Sequence, residues 1–213
     1  MTGNRALSPA FELGERDVHV WVVPLDDPDK KRRRELAHLA EGIVLASYLG
    51  VTPAMLEFER GPGGKPYLRN QPLEFNLSHS ERVALVGVSR SIALGVDVQG
   101  PHPNTGKPWF ARRICSAREY EHFDGAPSAD DLLRLWARKE AVIKARGEGS
   151  YVAVGEIDVL DFEIDGGWLC HDIPAMELAA WPGFHAAIAF RDRPDLRAEP
   201  PGLVLTVRDF QWP

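Results

Sequence analysis

Two long amphipathic helices, each set among short β-type segments, limit this chain most. Lys30–Leu49 has a basic first turn and then apolar residues at Leu36, Leu39, Ile43 and 46–49. An Asp-rich turn at 26–29 offers its N-cap, and Gly50 stands where a C-cap belongs. Ala129–Arg146 carries Leu132, Leu133, Leu135, Trp136, Val142 and Ile143 on or near one face. Around them, residues 18–25, 57–60, 73–77, 82–89, 91–98, 151–164, 167–169, 184–190 and 203–210 read as strands. The segments 82–89 and 91–98 read as an antiparallel pair turning near Arg90. Residues 108–123 are largely helical in pattern, and Pro/Gly-rich connections fall at 61–66 and 99–108. A helix and several strands thus occur in each half. The pattern predicts an α+β chain of two α/β subdomains, 17–100 and 101–213, behind a loose tail at 1–16.

Composition removes several classes. At 44% hydrophobic the chain can bury a core without staples. Cys115 and Cys170 make no disulfide framework and no CxxC pair, so both read as core residues in a reducing, cytoplasmic setting. The N-terminal segment is polar, unlike a signal peptide, and apolar runs such as 83–88 fall far short of the roughly 18 residues of a membrane span. A net charge of −6 argues against nucleic acid as a general partner. If the ligand is a polyanion, the cations must be gathered locally.

Three segments carry chemistry. In FNLSHS, Ser78 and His79 put a hydroxyl and an imidazole beside backbone amides, which suits phosphate oxygens, though a turn capped by Asn and Ser reads equally from these residues. In GVDVQ, Asp97 and Gln99 share one strand face and offer a carboxylate and an amide oxygen to a hard cation such as Mg2+. An Asp satisfying a loop amide or a buried Arg is the alternative. In WARKEAVIK, Trp136, Glu140 and Lys144 fall on one helical stripe with Lys139 adjacent, where an ordinary helix ion pair and a core Trp are the alternative.

Taken in order, FNLSHS, LGVDVQ and WARKEAVIK, with GGKP at 63–66 upstream, resemble the Sfp-type 4′-phosphopantetheinyl transferases. The resemblance implies transfer of the phosphopantetheine arm of coenzyme A to a serine of an acyl or peptidyl carrier protein, with adenosine 3′,5′-bisphosphate released. It implies a pseudo-two-fold pair of α/β subdomains with coenzyme A and Mg2+ in the cleft between them, complete in one monomer. Asp97, Glu140 and Gln99 match the metal positions, Gln99 standing where many relatives have Glu. Lys144 matches the pyrophosphate lysine, and Glu119 in SAREY matches an acid near the metal. Ser78, His79, Lys65 and Lys139 match coenzyme-binding positions. Arg33 is the match for a 3′-phosphate arginine, within a run that also holds Lys30, Lys31, Arg32 and Arg34. The serine proton could pass to Glu140, to Glu119 or to a metal-bound water. Arg112, Arg113 and Arg118, near Phe110 and Phe123, are candidates for gripping the acidic helix of a carrier. Glu81 stands where relatives commonly have Gly. Two other functions fit the same residues: a coenzyme A-binding relative without transfer activity, and an unrelated metal-dependent phosphohydrolase.

Overall fold

A computed structural model describes residues 9–149, 153–191 and 204–213. Residues 1–8 of the expected tail lie outside these, as do 150–152 and 203, where two strands are predicted to begin. The described elements run β1 (Asp17–Pro24), α1 (Lys30–Leu49), β2 (Phe58–Arg60), β3 (Pro66–Leu68), β4 (Glu74–Ser80), β5 (Val83–Ser89), β6 (Leu94–Gln99), α2 (Pro108–Ile114), α3 (Ala117–His122), α4 (Ala129–Arg146), β7 (Glu163–Ile164), β8 (Trp168–Asp172), β9 (His185–Arg191) and β10 (Val204–Asp209). One sheet has the order β10-β1-β5-β4 and another the order β6-β9-β8-β7. Among the described residues only β1 and β10 pair in parallel.

The predicted helix ends form as expected. Asp29 accepts from Arg32 N at 2.8 Å, and Gly50 closes α1 in the left-handed conformation. Ser128 and Asp131 make a capping box at the start of α4. The single helical region expected over 108–123 breaks in two, because Ser116 leaves the helical conformation to cap α3.

The packing is four layers deep. Ala37, Ala40, Val44 and Tyr48 of α1 cover one face of the first sheet, at Ala84, Val86 and Val88. The other face of that sheet, at Val20, Val22 and Leu85, meets Leu94, Val96 and Ile188 of the second. Ala141, Val142 and Ala145 of α4 then cover Ala187 and Ala189. Each fully buried aliphatic side chain stabilises by about 1.5–3 kcal/mol, and β5 is buried along its whole length. Cys115 and Cys170 are free thiols in this interior. Among the described residues no helix is long and apolar enough to cross a membrane.

Three sequence expectations change. β5 and β6 do not pair with each other: the chain crosses from one sheet to the other at 90–93, where Ser89 Oγ bonds both N and O of Ile92. The switch therefore comes before residue 100, and β10 returns to the first sheet. Within 153–164 only Glu163–Ile164 is strand; Val154–Glu156 is a turn of 3-10 helix, and Val159 N is taken by a side chain, not a ladder. The Ser-His-Ser run does not follow a strand but completes β4, and Glu81 then turns the chain with φ 47.

β4 and β6 are facing edges of the two sheets, and side chains join them. Asn76 Oδ1 accepts from Val96 N at 2.9 Å, Ser78 Oγ from Val98 N at 3.3 Å, and Ser80 Oγ from Gly100 N at 3.0 Å. On the opposite face of β6, α4 lies directly on Gly95. A Cβ there would sit 2.3 Å from both Ala141 O and Ala145 N. Gly63 likewise lets the GPGGKP loop touch the end of α4, since its Cβ would lie 1.7 Å from Gly147 O.

Glu119 and Lys139 sit at the heart of the second half. Both side chains are fully buried and meet at 2.5 Å. Lys139 Nζ also donates to Ile114 O at 2.6 Å, and Glu119 accepts from Ser116 N and Val159 N. Burial pulls the Lys139 ammonium below its usual range, with Glu119 opposing. This pair ties α3 to α4 and to residues 154–159.

Gly95→Ala is expected to lose about 3 kcal/mol in denaturant unfolding through overpacking, whereas Gly106→Ala, which meets open space, loses under about 0.5 kcal/mol. Lys139→Met is expected to lose about 3–5 kcal/mol by stranding a buried carboxylate.

Candidate active site

α1, β2, β4, β6 and α4 enclose a cleft of about 1220 Å3. Strand alternation sorts the residues that reach it. Phe75, Leu77 and His79 face the α1 side of β4, while Asn76, Ser78 and Ser80 face β6. On β6, Leu94, Val96 and Val98 enter the inter-sheet core. Asp97 and Gln99 take the other face, toward α4.

The acidic wall combines β6 and α4. Asp97 is 2% exposed, and its Oδ1 accepts from Ser78 Oγ at 2.7 Å and from Lys144 Nζ at 2.5 Å. Its Oδ2 accepts from Gln99 Nε2 at 2.6 Å. Lys144 completes its three donors with Ser78 Oγ at 2.9 Å and Val96 O at 3.4 Å. Glu140 lies one turn earlier on the stripe and accepts a long bond, 3.4 Å, from Trp136 Nε1. Burial holds its carboxyl above the usual range, and the Asp97 charge adds to that. Trp136 in turn packs on Phe110 and meets His102 edge-on.

The opposite wall carries basic residues among acids: Asp29, Glu41 and Glu59 also line it, and His38 Nδ1 meets Glu41 Oε2 at 3.2 Å. Lys30, Arg34 and His38 recur every four residues along α1 and line the cleft with Lys31. Arg60 joins them from β2, beside Phe58, which stands edge-on to Phe75. His79 faces this stripe. Burial lowers its pKa first, and His38, Lys144, Arg34 and Lys30 lower it further.

Four expected site residues take other positions. Arg33 does not line the cleft; its guanidinium donates to Asp27 O and Pro28 O at 2.8 and 2.9 Å, which ties α1 to its entry turn. Lys65 points inward to Leu94 O at 2.8 Å and Ala145 O at 3.4 Å, and burial lowers its pKa. Glu119 and Lys139 are consumed by their own buried pair and do not line the cleft. Asp97, Gln99, Glu140, Lys144, Ser78 and His79 do come together there.

Sequence reasoning did not single out His38, Arg60, Phe58 or Asn76. The phase of α1 could have found His38, since Ala37, Ala40 and Val44 fix the buried face and leave Lys30, Arg34 and His38 on the next one. Nothing in the sequence places β2 beside the cleft.

The donor set suits a hard divalent cation. Two carboxylates and the Gln99 amide line one wall, and burial first, with the Asp97 charge second, raises the Glu140 carboxyl. Among the described residues no group of three His, Cys, Asp or Glu stands where it could hold a metal ion, and Gln99 is the third polar side chain beside Asp97 and Glu140.

Residues 93–189 match the family model of the 4′-phosphopantetheinyl transferase superfamily. That span runs from the start of β6 to β9 and holds the whole acidic wall. The 4′-phosphopantetheinyl transferase HetI of Nostoc sp. is 31% identical over 66% of this chain and 73% of its own length. The 4′-phosphopantetheinyl transferase AcpT of Escherichia coli is 33% identical over 58% of this chain and 63% of its own. The L-aminoadipate-semialdehyde dehydrogenase-phosphopantetheinyl transferase of Eremothecium gossypii is 30% identical over 65% of this chain and 58% of its own. The alignment thus covers under two thirds of the last two proteins. The chain belongs to the 4′-phosphopantetheinyl transferase superfamily and is a transferase.

Proposed function

We propose that this chain moves the 4′-phosphopantetheine group of coenzyme A onto a serine hydroxyl of an acyl or peptidyl carrier protein, with Mg2+, and releases adenosine 3′,5′-bisphosphate. One observation carries the reading: a stripe of basic residues, Lys30, Lys31 and Arg34, faces a carboxylate pair with its own lysine, Asp97, Glu140 and Lys144, across one cleft. A ligand with a phosphate at one end and a pyrophosphate further along fits that division.

Asp97 and Glu140 would hold the ion, with the Gln99 amide oxygen as a weaker third donor. Mg2+ supplies neutralisation of the charge that develops on the leaving bisphosphate. The serine oxygen forms the new bond to the phosphorus that bears pantetheine, and the bridging oxygen leaves with the bisphosphate. Lys144 keeps a fixed positive charge beside those oxygens. Glu140, which lines the cleft and accepts a long bond from Trp136, is the protein group proposed to take the serine proton. Glu119 is not, being sealed against Lys139. His79 and the α1 stripe hold the nucleotide end.

For the carrier, Arg112 and Arg113 lie exposed on α2 beside Trp109, which is 52% exposed. They offer basic surface to an acidic helix. Arg118 is already paired with Asp158 and Asp161, Phe110 is buried, and Phe123 packs on the core. The alternative of a coenzyme A-binding relative without transfer draws its support from Gln99.

Incubation with apo-carrier proteins, coenzyme A and Mg2+ should add one phosphopantetheine to a carrier by mass spectrometry. Binding of coenzyme A with no mass gain on acyl or peptidyl carriers would favour the inactive relative, and coenzyme A breakdown without a carrier a phosphohydrolase. Asp97→Ala is expected to lower transfer at least about a thousandfold with its circular dichroism unchanged. Arg34→Ala should weaken coenzyme A binding about tenfold in calorimetry. Arg33→Ala, which loses only loop contacts, should leave that affinity as it is.

A further inference from the structure

Phe58 is an apolar side chain left uncovered in a polar cleft. It is 45% exposed and lines the cleft from β2. In the β2–β3 hairpin Phe58 pairs with Leu68 and Arg60 with Pro66, so these four share one face. Leu68 is buried in the core that α1 covers, which turns that face inward. Glu59 and Tyr67 take the other face and bond each other. On the inward face the Phe58 ring meets Phe75 edge-on, with centroids 5.7 Å apart at 76°. An edge-to-face contact covers at most one face of a ring, so the other face of Phe58 stays open. Phe75 lies on the α1 side of β4 with His79. Phe58 therefore stands on the side of the basic stripe, away from Asp97 and Lys144. Among the described residues Trp136 is the other Phe, Tyr or Trp that lines the cleft, and it lies on the acidic wall, bonded to Glu140.

We propose that Phe58 is the stacking platform for the adenine base of the coenzyme. The inference rests on the transferase reading only for the identity of the ligand, a nucleotide that carries a flat base. The faces of such a base hydrogen-bond poorly and are covered best by an apolar ring. Most other side chains on this side of the cleft are charged. Stacking on an aromatic side chain is worth about 5- to 100-fold in affinity per base. Arg60 follows on the same face, and its guanidinium is tied to Gly64 O at 2.8 Å, which sets a positive charge beside the platform. The hairpin thus meets the base, while α1 and His79 meet the phosphate of the nucleotide end. Phe58 contacts the ligand far from the reacting phosphorus. A contact of that kind is made equally in the ground state and the transition state, so it acts on KM and not on kcat.

Calorimetry with two ligands tests this: adenosine 3′,5′-bisphosphate, and ribose 3,5-bisphosphate, which lacks the base. The unaltered protein should bind the first about 5- to 100-fold more tightly. Phe58→Ala should lose most of that preference, its Kd for the adenosine ligand rising about tenfold and its Kd for the ribose ligand staying unchanged. Phe58→Trp, which offers a larger ring, should keep the preference. In transfer, Phe58→Ala should raise KM for coenzyme A about tenfold at unchanged kcat. If Phe58→Ala fails to fold, Phe58→Leu, which fills the place beside Phe75 without an aromatic face, should show the same loss of preference. The inference is overturned if the unaltered protein binds both ligands alike, if Phe58→Ala keeps the preference, or if Phe58→Ala loses affinity for both ligands equally. An unaltered protein whose preference depends on Phe58 but which transfers nothing to any carrier sinks the transferase reading alone. Transfer by the unaltered protein, with the preference untouched in Phe58→Ala, sinks the stacking inference alone.

Discussion

The outer edge of β6 is the constraint on which the rest of the structure depends. One side of this strand pairs with β9; the other has no backbone ladder. Every polar group there still needs a partner, because a buried orphan amide or carbonyl costs about 1–3 kcal/mol. Side chains supply them. Asn76, Ser78 and Ser80 take the N–H groups of Val96, Val98 and Gly100. Lys65 and Lys144 take the carbonyls of Leu94 and Val96. A direct ladder would bring β4 to about 4.8 Å from β6. The side-chain rungs hold the two edges as a seam between separate sheets, and the cleft opens along it.

That seam explains why so many residues with the look of ligand contacts face inward. Asn76, Ser78, Ser80 and Lys65 all lie in the segments that carry the family resemblance, yet their hydrogen bonds end on β6, on the residue that follows it and on α4. Gly95 belongs to the same arrangement: without a side chain it admits α4, which delivers Lys144 to the seam and to Asp97 at once. The GPGGKP loop braces the far end of α4, through Gly63 against Gly147 and Lys65 against Ala145. Scaffold and site are joined at Lys144 and Ser78, and a change at the seam reaches the carboxylate directly.

The sequence is informative where a local period or a cap decides the outcome. The ends of α1 follow from Asp29 and Gly50. The stripe Trp136, Glu140, Lys144 is read correctly because i, i+4 spacing alone puts it on one face. Arg33 fails for a reason of phase. Five consecutive basic residues leave the cleft-facing one undetermined unless the buried face is fixed first, and Ala37, Ala40 and Val44 fix it. The pairing of β5 and β6 fails because β5 is apolar on both faces, so alternation names no neighbour. Glu119 fails because an acid in a capping box looks the same in sequence whether its second oxygen meets a metal or a buried lysine.

Sorting the cations by where their hydrogen bonds end also settles the charge balance. A chain of net charge −6 is a poor general host for a polyanion. Arg33, Lys65, Arg138 and Lys139 have their hydrogen bonds on carbonyls and carboxylates of the protein and offer no donor to a ligand in the cleft. Lys30, Lys31 and Arg34 face it from α1, and Asp97 and Glu140 face it from the other side with Lys144 between them. The cleft is therefore polarised along its length and not uniformly basic. On the proposed reading the nucleotide phosphate lies against α1 and the pyrophosphate at the seam, where the bound ion would offset the two carboxylates beside Lys144.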